Sequence, residues 1–123
     1  MKSSETDEGV LHIRDDEGSL LALVIRSTFR VIGLSFLTDD SSVLQVGYMT
    51  RPNGEVIVAH VHEPVARSIV GTQEVLIMQE GKVRLDLFTQ ARKYVASVTL
   101  SAGDLVLLSE GGHGIEVLEE ARI

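Results

Sequence analysis

The stretch Gly54-Glu55-Val56-Ile57-Val58-Ala59-His60-Val61-His62 decides how the rest of the chain is read. Successive side chains of a β-strand leave on opposite faces, so His60 and His62 project together while Val61 points away. The spacing predicts a strand over 55–62 that presents two imidazoles to one interior. Working outward, Glu74-Val75-Leu76-Ile77-Met78 reads as the next strand, with Gly81 ending the run, and its alternation places Glu74, Leu76 and Met78 on one face. A third imidazole is supplied by His113, which follows Gly111-Gly112 after the apolar stretch 105–108. Three neutral nitrogens and one carboxylate oxygen suit a divalent first-row metal.

The remaining segments also read as short strands. Residues 43–50, 83–88, 94–100, 105–108 and 115–118 are apolar or alternating, and they are separated by turns rich in Gly, Asp, Ser and Asn, such as Asp39-Asp40-Ser41-Ser42 and Arg51-Pro52-Asn53-Gly54. Many short strands at this spacing indicate an all-β sandwich or barrel of the jelly-roll kind. Residues 18–37 are apolar and β-branched, interrupted by Arg26, Arg30 and Gly33, and read as strand pairs or as one strand plus a short helix. Residues 1–9 are acidic, small and aperiodic, so they are expected to be disordered, leaving 10–123 as one domain.

The histidine pattern resembles the cupin superfamily, whose first motif runs G-x5-H-x-H-x(3,4)-E-x6-G and whose second runs G-x5-P-x-G-x2-H. Gly54, His60, His62, Glu74 and Gly81 follow the first, and Gly103, Gly111 and His113 follow the second. The chain departs from the pattern in three places. Residues 63–73 make a longer connection than usual, Ser109 stands where proline is usual, and His113 comes one position early. A connection of that length is expected to loop out near the barrel mouth. The resemblance covers roughly residues 47–118. It implies a single-domain jelly-roll β-barrel with one divalent transition metal, Fe, Mn, Ni or Zn, held by His60, His62, Glu74 and His113. It also implies a homodimer built on N-terminal strands, and the strand pattern at Ile123, which reads as ready to continue, points the same way, because a free edge invites pairing.

Composition limits the alternatives. At 123 residues the chain supports one core. Cysteine is absent, which excludes disulfides, thiolate ligands and a cysteine nucleophile. Eleven Lys and Arg against 18 Asp and Glu give a formal net charge of −7, unsuited to phosphate-backbone binding, so no nucleic-acid partner is expected. The longest apolar run, 20–25, is far short of a membrane span, and the polar N-terminus lacks the apolar core of a signal peptide. The expected location is the cytoplasm, with no membrane partner. There is no Trp, so an aromatic stacking platform is poorly supported.

Beyond the ligands, three residues are candidates for contact with a small-molecule ligand. Tyr48 precedes the histidine strand and offers a hydroxyl. Arg67 sits in the long connection and offers a guanidinium fork for an anionic group. Met78, beside Leu76, would form an apolar wall. Glu63 is an alternative carboxylate ligand. Two functions fit these residues: a metal-dependent enzyme acting on a small oxygenated substrate, which the resemblance suggests is carbohydrate-derived, or a non-catalytic metal-dependent module that binds or senses a small molecule.

Overall fold

The computed structural model describes residues 4–6 by their backbone and residues 9–123 in full, and it contains no helix among them. Ten strands follow in order: β1 (Ser4–Thr6), β2 (Val10–Arg14), β3 (Leu20–Ile25), β4 (Gly33–Phe36), β5 (Gly47–Thr50), β6 (Glu74–Ile77), β7 (Glu80–Phe88), β8 (Tyr94–Ser101), β9 (Leu105–Leu108) and β10 (Gly112–Arg122). All pairings are antiparallel. The chain is therefore all-β, and it divides into two compact units, Met1–Phe29 with Gly71–Ile123, and Arg30–Val70.

The first unit holds a five-stranded sheet, β1-β2-β3-β9-β6, and a three-stranded sheet, β10-β7-β8. One buried cluster draws on both, with Ile13, Leu21, Ala22, Val24, Val106 and Leu108 from the first and Val83, Leu85, Leu87, Val95, Val98 and Leu100 from the second. Alternation along β7 puts Val83, Leu85 and Leu87 into this core and leaves Arg84 exposed. Each such Leu or Val contributes about 1.5–3 kcal/mol by leaving water. In β3 the run Leu-Leu-Ala-Leu-Val-Ile is buried on both faces, since Leu23 and Ile25 are as shielded as their neighbours. That double burial removes the period-2 signal and explains why the sequence left a helix open there.

Local chemistry sets the turns. Asp15 Oδ1 accepts from the backbone N–H groups of Glu17 and Ser19, which turns β2 into β3. Thr89 Oγ1 accepts from Lys93 N–H between β7 and β8. The buried carboxylate of Asp104 accepts from Ser27 N–H at 2.9 Å, Ser101 N–H at 2.9 Å and Arg26 Nη1 at 3.1 Å, tying the end of β3 to the β8–β9 turn.

The second unit contains the β4–β5 hairpin, with Leu34 opposite Met49 and Ser35 opposite Tyr48. Its loop is held by Gln45, whose Nε2 donates to the carbonyls of Asp39 and Ser42. Residues 56–70 adopt no regular structure and are exposed throughout. The strand expected over 55–62 is thus not formed. A strand is defined by its ladder, and among the described residues this segment pairs with no other, so its alternating valines stay in solvent. Two further boundaries differ. Only Gly47–Thr50 of the stretch 43–50 is strand, and β10 runs from Gly112 to Arg122, so His113 lies within a strand rather than in a turn. Of the N-terminal residues expected to be disordered, 1–3 and 7–8 lie outside the described residues, while β1 pairs with β2.

Candidate metal centre

His60 and His62 lie in the irregular, exposed part of the second unit. Their rings meet edge to face, with centroids 5.3 Å apart. His60 Nδ1 is 2.9 Å from the carbonyl oxygen of Val58. A carbonyl only accepts, so Nδ1 carries the proton, and in the neutral ring Nε2 keeps its lone pair. A backbone carbonyl on the far nitrogen is the arrangement that orients an imidazole for a metal.

Glu74 and His113 belong to the first unit. Glu74 opens β6 opposite Leu108, which pairs in turn with Ala22, and Ala22 with Ile13. Since directly opposed residues share a face, Glu74 extends a row whose other members are in the core. Its side chain is nevertheless exposed, because β6 is an edge strand. Gln73 Nε2 donates to Ser109 Oγ at 3.2 Å, continuing the β6–β9 pairing past the ladder. His113 is the second residue of β10 and stands opposite Leu87, which pairs with Ala96. It too extends an inward row on an edge strand and is exposed. Each of these two residues therefore combines an inward orientation with access to solvent. Among the described residues, no three His, Asp or Glu side chains are gathered closely enough to hold a metal.

The other candidates fall in different environments. Tyr48 is half-buried on β5, and Arg67 and Glu63 are exposed in the irregular segment. Met78 is 1% exposed and belongs to the core of the first unit, held by Met78 N–H donating to Asp104 O and by Gly103 N–H donating to Met78 O. Arg51 pairs with Glu55 at 3.2 Å.

One polar constellation was not legible in the sequence. On the outward face of the three-stranded sheet, Arg84 makes a two-point contact with Asp86, Nε to Oδ1 at 2.9 Å and Nη2 to Oδ2 at 3.1 Å, and reaches Glu116 at 2.8 Å. Ser97 Oγ donates to Asp86 at 2.5 Å, and its oxygen is 2.8 Å from the Tyr94 hydroxyl. The Arg84 hydrogen bonds, followed by that of Ser97, hold the Asp86 carboxyl below the usual carboxylate range. The same contact with Asp86 raises Arg84 above its ordinary value. The i, i+2 spacing of Arg84 and Asp86 is visible in the sequence, but their cross-strand partners depend on register, which it does not display.

No family model matches the chain, and no curated protein or solved structure matches it.

Proposed function

We propose that this is a metal-binding protein of cupin type whose candidate ligands to one divalent transition metal, Fe, Mn, Ni or Zn, are His60, His62, Glu74 and His113, of which only His60 and His62 stand side by side in the structure. The observation that carries the reading is the His60–His62 pair, two imidazoles side by side with one ring oriented through Nδ1 by a backbone carbonyl. The inward register of Glu74 and His113 at solvent-accessible edge positions supports it. A jelly-roll barrel and a homodimer belong to the same proposal. Such a donor set leaves coordination positions open, and the ion bound there supplies either Lewis acidity or redox capacity.

The activity proposed is metal-dependent catalysis on a small oxygenated substrate, with carbohydrate derivatives the first class to test. Tyr48 is a candidate to bind a substrate oxygen and Arg67 to bind an anionic group. A second reading, a non-catalytic module that binds or senses a small molecule, gains weight from two observations. Met78 is shut into the core, and Arg51 and Arg84, two further guanidinium forks that could take a carboxylate or phosphate, are already paired with carboxylates.

Thermal melting with each metal tests the common part of both readings. An ion that binds only the folded state raises Tm, by about 2.7 kcal/mol of added stability at a hundredfold excess over Kd. That rise should vanish in Glu74→Ala while the metal-free melt stays put, since the Glu74 side chain is exposed and makes no ion pair among the described residues. Equal rises in both proteins would refute the assignment of Glu74. Oxygen consumption and turnover of candidate sugars by the metal-loaded protein then separate enzyme from binding module.

A further inference from the structure

The turn ahead of the histidine segment carries chemistry that the metal reading does not use. Asn53 is the chain's only asparagine, and glycine follows it. Residues 52–55 form a β-turn closed by Glu55 N–H donating to the Pro52 carbonyl at 3.3 Å, a long and solvent-exposed hydrogen bond. Gly54 sits at φ 88°, whereas Asn53 is not at positive φ, which makes the turn type II. Asn53 and Gly54 are both exposed, and nothing lies within 4 Å of where a Gly54 side chain would begin.

We propose that Asn53-Gly54 is a self-modification site, at which the folded chain converts its single asparagine to aspartate and isoaspartate. The backbone nitrogen of Gly54, deprotonated by hydroxide, attacks Cγ of Asn53. The N–Cγ bond forms and the Cγ–Nδ2 bond breaks, and the departing nitrogen takes up a proton and leaves as ammonia. Water opens the resulting five-membered imide at one of its two carbonyls, giving Asp by one route and isoAsp by the other. No oxidant or reductant is involved. Glycine matters because any Cβ at position 54 would crowd the attacking nitrogen. In a type II turn that nitrogen points away from the Asn side chain, so the turn must open first, against the one long hydrogen bond and the solvent-accessible Arg51–Glu55 ion pair that spans it.

The product carries one negative charge more than the formal −7 of the chain. The new carboxylate is two residues from both Arg51 and Glu55, which pair at 3.2 Å, so it competes for the same guanidinium. The isoAsp form also lengthens the backbone by one methylene just before residues 55–62.

The experiment incubates the purified full-length chain in mildly alkaline and in mildly acidic buffer. Charge is followed by isoelectric focusing, peptide masses by mass spectrometry, and isoaspartate by methyl transfer from an isoaspartyl methyltransferase. The expected result is a growing acidic form that co-migrates with Asn53→Asp and gains about 1 Da on the peptide containing residue 53 alone. It should form faster in alkali and be absent from Asn53→Gln, whose longer side chain cannot close the five-membered ring. Persistence of the acidic form in Asn53→Gln overturns the assignment. So does its absence from the folded chain over a period in which a synthetic peptide of residues 51–56 converts.

Discussion

Replacing Asp104 by Ala removes the single charged side chain that is buried among the described residues. Its carboxylate receives two backbone N–H groups, Ser27 and Ser101, each at 2.9 Å. Each such bond contributes about 0.5–1.5 kcal/mol net, and up to 3 when the acceptor is charged. The third donor, Arg26, is less sensitive: its side chain is 31% exposed, and Nη1 keeps its bond to the Thr99 carbonyl at 2.6 Å. A partly exposed ion pair of this kind adds about 0–1 kcal/mol. From the lowest to the highest of these figures, the three contributions sum to about 1–7 kcal/mol for Asp104→Ala. Asp104→Asn, which retains a carbonyl acceptor, should cost less. Urea unfolding at neutral pH, read as a shift in midpoint at constant slope, measures both. A loss below about 1 kcal/mol for Asp104→Ala would show that water replaces the carboxylate and that the clasp between β3 and the β8–β9 turn is not a stabilising element.

Three further outcomes rest on the packing and contacts of the first unit. Leu85→Ala, at a site 0% exposed in the core of the first unit, should lower stability by about 2–5 kcal/mol in the same assay. The Asp86 carboxyl is held below its ordinary value in the folded protein, so it stabilises the fold above the unfolded value of about 3.9 and loses that contribution as pH falls through the lower folded value. Asp86→Asn should therefore make the acid side of the stability–pH curve shallower, and an unchanged curve would count against the Arg84–Asp86–Ser97 network. Light scattering should show a dimer, because among the described residues β6 and β10 each pair on one side only and Ile115 and Val117 on β10 remain 41% and 58% exposed; a monomer at tens of micromolar would reject this.

What the sequence made legible was set by how locally each feature is encoded. β8 and the core face of β7 follow from alternation, since Val98 and Leu100 enter the core with Val83, Leu85 and Leu87. β10 extends beyond the expected 115–118 at both ends, taking in Gly112 to Gly114 and Glu119 to Arg122. In the fold those residues continue an edge strand, and Glu119 and Arg122 meet Lys82 and Glu80 at 3.7 and 3.0 Å. The strand over 55–62 was read from alternation alone. Alternation names the face a strand would bury without supplying a partner, and Val56, Val58 and Val61 stay 80%, 77% and 90% exposed. His60 and His62 were paired on the strength of strand alternation, whereas in the fold their rings meet edge to face within an irregular segment. The chain of polar contacts from Glu116 through Arg84, Asp86 and Ser97 to Tyr94 spans three strands, so it required the register.

The central claim is that four named side chains hold a metal, and elemental analysis of the protein bears on it most directly. Protein purified without added metal, then loaded with iron, manganese, nickel or zinc and desalted, should carry one divalent ion per chain. The His60→Ala, His62→Ala double variant and His113→Ala should each lose it, because fewer donors remain for the same ion. Equal metal content in the double variant and the parent chain, or no retention of any of the four metals by the parent, would contradict the account.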